Sequence, residues 1–207
     1  SEYFLFCPVT FVTFIDVTTY NYVILNVKEW DKNNLYVTKY RNGDVIPQVQ
    51  DAAQWANLTT GAWCYYSYQT SNGTVYGKLY NWYAVNDSRG LAPEGWHIPS
   101  DEEWTILTDN LGGEEVAGGK MKTTGTNYWE SPNEAATNES GFSALPGGYR
   151  NNNGSFNNIR NNAFFWSATE GDNYSAWGRL LNDSSGGVTK NYYNKTFGAS
   201  VRCLRDY

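Results

Sequence analysis

Residues 95–104 read Gly-Trp-His-Ile-Pro-Ser-Asp-Glu-Glu-Trp, and this stretch contains the start of the most clearly marked helix in the chain. Ser100 is a favourable N-cap, and Glu103, three residues later, completes a capping box. The acidic pair at 101–102 suits the positive end of the helix dipole. An apolar stripe follows at Trp104, Leu107 and Leu111. Because Gly112-Gly113 then ends the element, the pattern predicts an amphipathic helix with one face on a core.

Upstream of this helix, short strand-like runs alternate with turn signals. The runs rich in β-branched and aromatic residues are 20–25, 35–40 and 63–68. Two dipeptides predict hairpin turns, Asn42-Gly43 and Asn72-Gly73. Alanine and valine at helical spacing predict a short helix within 48–57. Residues 75–85 are apolar and aromatic, and the pattern there does not separate helix from strand.

Downstream, glycine pairs and prolines predict little regular structure over residues 112–155. Strand-like runs return at 163–168, 176–181 and 197–204. Helices early and an antiparallel sheet late indicate an α+β fold, which we assign to one domain over residues 19–207. Residues 1–18 predict a short N-terminal β extension. Attachment to a larger assembly or homo-oligomerisation through that extension stays open.

The composition excludes several classes of function. Aromatic residues make up 17% of the chain, which is far too many for a disordered protein. Most of them belong in a core, and the remainder suit a binding surface. The net charge of −6 argues against binding to nucleic acid or anionic membranes. The apolar start of the chain is too short to insert into a bilayer and lacks a basic leader region.

Cysteine and histidine usage argues against a metal site and against catalysis. With one histidine and no Cys-x-x-Cys pair, we expect no zinc site. We assign no other metal and no cofactor, and a structural Ca²⁺ stays open although acidic residues are few after residue 151. His97 has no partner marked by the sequence, so it is predicted to be a hydrogen-bonded structural residue. Because the number of cysteines is odd, at least one of them is free or pairs between chains. Cys64 and Cys203 are predicted to be buried neighbours, reduced or bridged, and Cys7 is the third. The two lysines of the short run 120–122 are predicted to be exposed to solvent.

Six segments, taken in order, resemble one known family: Gly77–Val85, Gly95–Trp104, Ala117–Lys122, Gly141–Arg150, Phe165–Glu170 and Ser200–Arg205. They are similar to the Fibrobacter succinogenes major paralogous domain family, from about residue 20 to the end of the chain. The resemblance implies a C-type-lectin-like fold, related to the formylglycine-generating, sulfatase-modifying proteins. It also implies that the chain end around residues 201–203 pairs with an early strand.

The same resemblance implies a role in recognition outside the cell. Members are typically exported proteins of Bacteroidetes-like bacteria, related sequences occur in their phages, and some resemble targets of diversity-generating retroelements. We therefore expect a cell-surface, extracellular or virion protein, such as a phage tail protein or an adhesin, that binds a host-surface protein or glycan. The alternative is an enzyme of the formylglycine-generating type. Those enzymes use a reactive cysteine pair late in the domain, and here only Cys203 lies late, so we expect no enzymatic activity.

The ligand-contacting face is predicted in the C-terminal quarter. Residues 151–195 hold 11 of the chain's 24 asparagines, interspersed with tyrosine and aspartate between scaffold-like runs. Asparagine suits adaptable hydrogen bonding, and tyrosine and tryptophan suit anchoring. The predicted face comprises Asn157, Asn158, Arg160, Asn162, Phe164, Asp172, Asn173, Tyr174, Trp177, Arg179, Asn182, Asp183, Tyr192 and Tyr193. Tyr174, Trp177 and Tyr192 are the predicted anchors. The alternative is a set of solvated, Asn-rich loops without a ligand.

Overall fold

A computed structural model of the chain describes residues 21–25 and 28–206. The predicted extension at 1–18, with Cys7, lies outside these residues. The helices are α1 (Ala52–Ala56), α2 (Thr70–Tyr76), α3 (Trp82–Val85), α4 (Asp101–Asn110) and α5 (Ala117–Met121), with a 3₁₀ turn at Tyr66–Tyr68. The strands are β1 (Tyr22–Leu25), β2 (Lys28–Asp31), β3 (Trp63–Cys64), β4 (Leu79–Tyr80), β5 (Trp96–His97), β6 (Tyr149–Arg150), β7 (Phe156–Asn157), β8 (Asn162–Glu170), β9 (Ser175–Asn182), β10 (Val188–Asn194) and β11 (Leu204–Arg205). This mixture of helices and antiparallel strands confirms the α+β prediction.

The two ends of the described chain meet in a four-stranded sheet with the order β1-β2-β11-β5. Leu204 of β11 pairs with Trp30 of β2 on one side and with His97 of β5 on the other. The amide of Leu35 also donates to the carbonyl of Val201 at 2.8 Å. The predicted pairing of the chain end with an early strand is therefore confirmed. Within the predicted run 197–204, residues 198–200 form isolated bridges and only Leu204 belongs to a strand, β11.

A three-stranded antiparallel sheet with the order β10-β9-β8 divides the core. Side chains alternate along β8, so Phe164 and Trp166 pack in one hydrophobic cluster and Phe165 packs in another. The second cluster contains the buried face of α4, including Trp104 and Leu107. Strand β8 is therefore covered on both faces, whereas β10, at the edge of the sheet, has exposed residues such as Tyr192.

Helix α4 begins as predicted. The Ser100 side chain accepts from the Glu103 amide, and the Glu103 carboxylate accepts from the Ser100 amide at 2.9 Å. Trp104 is fully buried, and its indole N–H donates to the carbonyl of Trp166 at 3.3 Å. This contact fixes the helix against β8. None of the helices in the described ranges is long and apolar enough to cross a membrane.

Of the two turns predicted from Asn-Gly dipeptides, one is confirmed and the other is wrong. Asn42-Gly43 forms a tight turn, in which Gly43 has a φ of 93° and donates to the Tyr40 carbonyl at 2.9 Å. Asn72-Gly73 lies inside α2 instead of in a hairpin. A Cβ on Gly73 would come within 2.2 Å of the Tyr65 ring, so packing against Tyr65 explains this glycine. The predicted strand at 63–68 ends at Cys64, and the 3₁₀ turn follows.

Candidate functional site

The fourteen predicted contact residues are spread along the β8–β10 sheet from one end to the other. Strand β9 has 8 residues, so its ends lie about 23 Å apart at a rise of roughly 3.3 Å per residue. Asn182 and Asp183 are at one end, near Asn162 through the pairing of β8 with β9. The turn at 171–174 is at the other end. The set therefore does not form one continuous face.

Arg179 is a structural residue, which corrects its predicted role. Arg179 and Trp177 lie two residues apart on β9, so they share a face of the strand, as predicted. Their partners on β10 are Lys190 and Tyr192. However, Arg179 is only 2% exposed, and its guanidinium donates to the Asp101 carboxylate at 2.7 Å. Lys190 donates to the other carboxylate oxygen at 2.6 Å. Burial raises the pKa of Asp101, but the hydrogen bonds from Lys190 and Arg179 outweigh it and lower the pKa overall.

Phe164, Asn162 and Asp183 are also buried, and their predicted exposure was wrong. Phe164 packs its ring against core aromatics, with 5.3 Å between its centroid and that of Phe197. Asn162 accepts from the side-chain amide of Asn182 at 2.8 Å, across the pair of strands. Asp183 accepts from Asn161 at 2.7 Å. These polar groups satisfy one another inside the protein, so they are not presented to a ligand.

Tyr192 and Tyr193 point to opposite faces of β10, as neighbours on a strand must. Tyr193 packs inward, with its centroid 5.1 Å from that of Phe197 and 5.3 Å from that of Phe164. Burial raises its pKa to about 12. Tyr193 therefore belongs mainly to the core, whereas Tyr192 is 52% exposed.

Asn157, Asn158 and Arg160 shape a loop at the end of the sheet away from the 171–174 turn. Arg160 and Asn158 both adopt positive φ angles, of 69° and 59°. The Arg160 guanidinium donates to the Glu130 carboxylate at 2.6 Å and to the Asn127 carbonyl at 2.9 Å. These bonds hold the 126–130 loop and use the hydrogen-bond donors of the guanidinium. Arg160 therefore has a structural role that the sequence did not reveal.

The other end of the sheet presents an aromatic pair, in which Tyr192 is exposed and Trp177 is half-buried. The rings of Trp177 and Tyr192 contact each other across β9 and β10, with centroids 4.1 Å apart and planes tilted by 38°. The Lys190 ammonium lies 4.4 Å from the Trp177 ring centroid. Since the same ammonium binds Asp101, the aromatic pair rests on a charged cluster that is anchored to α4.

The turn beside this pair is ordered by its own side chains. Asp172 accepts from the amides of Tyr174 and Ser175, both at 2.7 Å. The Lys195 amide donates to the Tyr174 carbonyl at 2.9 Å, and the Lys195 ammonium pairs with Glu170. Tyr174 is 78% exposed at the tip of this turn. We call Asp172, Asn173, Tyr174, Trp177 and Tyr192 the tip patch.

Lys122 is a structural residue that the sequence analysis missed, since it was predicted to be solvated. It is fully buried, and its ammonium donates to three backbone carbonyls, of Glu134, Asn182 and Ser185, at 2.8–2.9 Å. Burial lowers its pKa to about 8. The lysine thus joins the long loop after α5 to the β9–β10 turn. Nothing in its glycine-rich sequence surroundings signals this role.

His97 has two carboxylate partners, and Cys64 and Cys203 are buried. The imidazole lies between two carboxylates, with Nδ1 2.5 Å from Asp206 and Nε2 3.0 Å from Glu103, so it has partners that the sequence did not mark. Cys64 and Cys203 are both buried, as predicted, and both are free thiols in different core clusters. Burial raises the pKa of each to about 12. Such thiols carry almost no thiolate at neutral pH.

Comparison with known proteins identifies the family over nearly the whole chain. The model of the Fibrobacter succinogenes major domain matches residues 23–205. That range contains every helix described above and ends at the last residue of β11. No curated protein matches the chain. The match confirms the resemblance carried by the six sequence segments, and the chain belongs to the Fibrobacter succinogenes major domain family.

Proposed function

We propose that this chain is a non-enzymatic recognition domain with a C-type-lectin-like fold and that it binds its ligand through the tip patch. The observation that carries the proposal is the contact between the half-buried Trp177 ring and the exposed Tyr192 ring, with Tyr174 exposed at the adjacent turn. The paired chain ends and the α+β architecture support the C-type-lectin-like part. The tip patch keeps five of the fourteen residues of the predicted face. It leaves out the side chains that are buried and those, such as Arg160, that hold distant loops.

The energetics favour a binding role for this cluster. A single exposed aromatic residue needs no explanation, but several grouped at one end of a sheet suggest an interaction site. Trp177 and Tyr192 stand on paired strands, so little conformational entropy is lost when they contact a ligand. Asp172 holds the backbone of the turn through two hydrogen bonds, which orders the segment that carries Tyr174. Preorganisation of this kind lowers the cost of binding.

The biological setting is part of the same proposal. The partner is a protein or glycan on a host surface, and the domain acts outside the cell or on a virion, as a phage tail protein or a bacterial adhesin. Diversification by a retroelement would alter tip-patch side chains while leaving the buried scaffold intact. The raised pKa values of Cys64 and Cys203 and their burial support a binding role over a formylglycine-generating activity. The net charge of −6 supports partners other than nucleic acid.

Alanine substitution of Tyr174, Trp177 and Tyr192, singly and together, tests the proposal. The labelled chain is titrated onto intact host cells and onto an array of isolated glycans. Each true anchor is expected to cost about 2 kcal/mol of binding free energy with little loss of folding stability. Tyr128→Ala is the matched control, because Tyr128 is similarly exposed at 42% but lies in the loop held by Arg160. Unchanged binding of the triple variant would contradict the proposal.

A further inference from the structure

A polar groove runs along the molecule beside the tip patch. It consists of two adjoining concavities, of about 270 and 330 Å³, which share Thr59 and Tyr83 in their walls. Tyr174, the exposed residue of the tip patch, borders the larger one. The groove therefore extends from the 171–174 turn past α3 toward the loop that contains Arg89.

The walls of this groove are fixed by buried hydrogen bonds. The Asn81 side chain accepts from the amides of Ala62 and Ala84 at 2.9 and 3.1 Å, and donates to the Thr60 carbonyl at 2.8 Å. It thereby ties the 59–62 segment to α3, which carries Tyr83. On the other side, the amide of Trp82 donates to the Lys195 carbonyl at 2.9 Å. The groove is thus preformed and does not depend on a mobile loop.

The chemistry of the lining favours an uncharged, hydroxyl-rich ligand. Most polar side chains in the walls are hydroxyls and amides, which both donate and accept: Thr59, Thr60, Asn86, Asn152, Asn194 and Thr196. The charged residues of the two concavities, Asp87 and Arg89, neutralise each other through paired bonds of 2.8 Å. Arg89 also binds Asp44 at 3.2 Å. An anionic ligand therefore gains no uncompensated cation in this groove.

Aromatic residues complete the lining. Tyr83 stands where the two concavities meet, and Tyr174 borders the outer end. Their rings offer flat apolar surfaces beside hydrogen-bonding groups, which is the combination that a pyranose ring requires, since its faces are apolar and its edge carries hydroxyls. The aliphatic side chains in the larger concavity are Ala56 and Leu58, which form no deep pocket for an apolar peptide side chain.

We infer that this groove binds a neutral oligosaccharide, with one sugar ring on each side of Tyr83. The inference rests on the proposed recognition function and names the ligand class and a second surface for it. It assigns Tyr83 the role of central stacking residue, and assigns Asn86 and Asn194 hydrogen bonds to sugar hydroxyls. Tyr83 lies outside the asparagine- and tyrosine-rich C-terminal quarter, and it is not part of the tip patch.

The test uses the whole chain, an array of neutral and acidic glycans, and calorimetric titration with the neutral oligosaccharide that gives the strongest signal on the array. Tyr83→Ala is expected to raise the Kd at least about tenfold, whereas Tyr83→Phe, which keeps the ring, stays within roughly threefold of wild type. Thr59→Arg is a second variant that fills the groove from an exposed position without removing a core side chain. It is expected to abolish binding even if Tyr83→Ala folds poorly. Tyr128→Ala serves as the control.

The outcomes separate this inference from the proposed function. Loss of neutral-glycan binding in Thr59→Arg, with Tyr128→Ala unaffected, supports the groove. Binding that survives Thr59→Arg but is lost in Trp177→Ala and Tyr192→Ala overturns the groove and leaves the tip patch in place. If the chain binds only acidic glycans or only proteins, and no neutral glycan on the array, the inference about the groove is also overturned. If neither set of variants alters the binding of cells or glycans, both proposals fail.

Discussion

The guanidinium of Arg179 donates to the carboxylate of Asp101 across 2.7 Å and so joins the middle strand of the β8–β10 sheet to the first turn of α4. Arg179 also donates to the Asp101 carbonyl and to the Thr105 hydroxyl. Because Trp177 lies two residues before Arg179 on β9 and pairs with Tyr192 on β10, this bond helps to set the position of the aromatic pair relative to the core.

Removal of the Arg179 guanidinium is expected to destabilise the fold. Arg179→Met leaves the Asp101 carboxylate, whose side chain is 16% exposed, with Lys190 as its remaining cation. Breaking such a buried pair costs about 3 kcal/mol of unfolding free energy, measured by urea denaturation. Lys120→Met, which breaks the surface pair with Glu139, should leave the unfolding midpoint near that of wild type. Similar midpoints for both variants would show that Arg179 is not structural.

The same cluster predicts a dependence of stability on pH. The pKa of Asp101 in the folded protein is lower than its ordinary value of 3.8. A depressed carboxyl pKa contributes stability that is fully present above the unfolded-state value and is lost as the pH falls through the folded-state value. The advantage of wild type over Asp101→Asn should therefore be full near neutrality and should shrink below about pH 4. A difference that stayed constant down to acidic pH would contradict this assignment.

Lys122 is expected to be essential for the order of the loops it joins. Lys122→Met leaves three buried carbonyls without their donor, which we expect to cost about 3 kcal/mol of unfolding free energy. Hydrogen exchange should rise at residues 134 and 182–187. Lys120→Met is the matched control on the same helix, because Lys120 forms only a surface pair with Glu139 at 3.0 Å. It should stay within about 0.5 kcal/mol of wild type.

Truncation of the two adjacent tyrosines on β10 should lower the free energy of unfolding by different amounts. Tyr193→Ala removes a ring packed between Phe164 and Phe197, and a core deletion of that size costs about 3 kcal/mol of unfolding free energy. Tyr192→Ala removes an exposed ring and should cost less than about 1 kcal/mol. Thermal unfolding of the two variants compares them directly. Equal losses would mean that Tyr192 is part of the core and would remove it from the tip patch.

The two buried thiols should be unreactive in the folded protein. Burial raises the pKa of both Cys64 and Cys203 to about 12, so the thiolate is scarce and the sulfur is inaccessible. In a Cys7→Ser background, a disulfide reagent at pH 8 should label neither thiol until denaturant is added, and then both. Rapid labelling of one folded-state thiol would revive the enzymatic alternative.

The elements that short-range patterns describe well were predicted correctly. Ser100 and Glu103 form their capping box because both partners lie within one helical turn. The β8 and β9 runs were found because apolar and aromatic stretches between polar loops indicate strands. Asn72-Gly73 was misassigned because the space that favours Gly73 is set by Tyr65, a contact that a turn motif does not contain. Nine of the fourteen predicted contact residues lie outside the tip patch, and four of them are buried, since exposure depends on what packs against each strand face.

By itself, the sequence determined the family, the α+β class, the helix at 101–110 and the richness of asparagine and tyrosine in the C-terminal quarter. Only the tertiary structure decided which of those side chains reach solvent. Asp101 binds Arg179 from 78 residues away, and three distant carbonyls surround Lys122. Composition states which groups can hydrogen-bond, but the packing of remote segments decides whether a given group is satisfied inside the protein or is presented to a ligand.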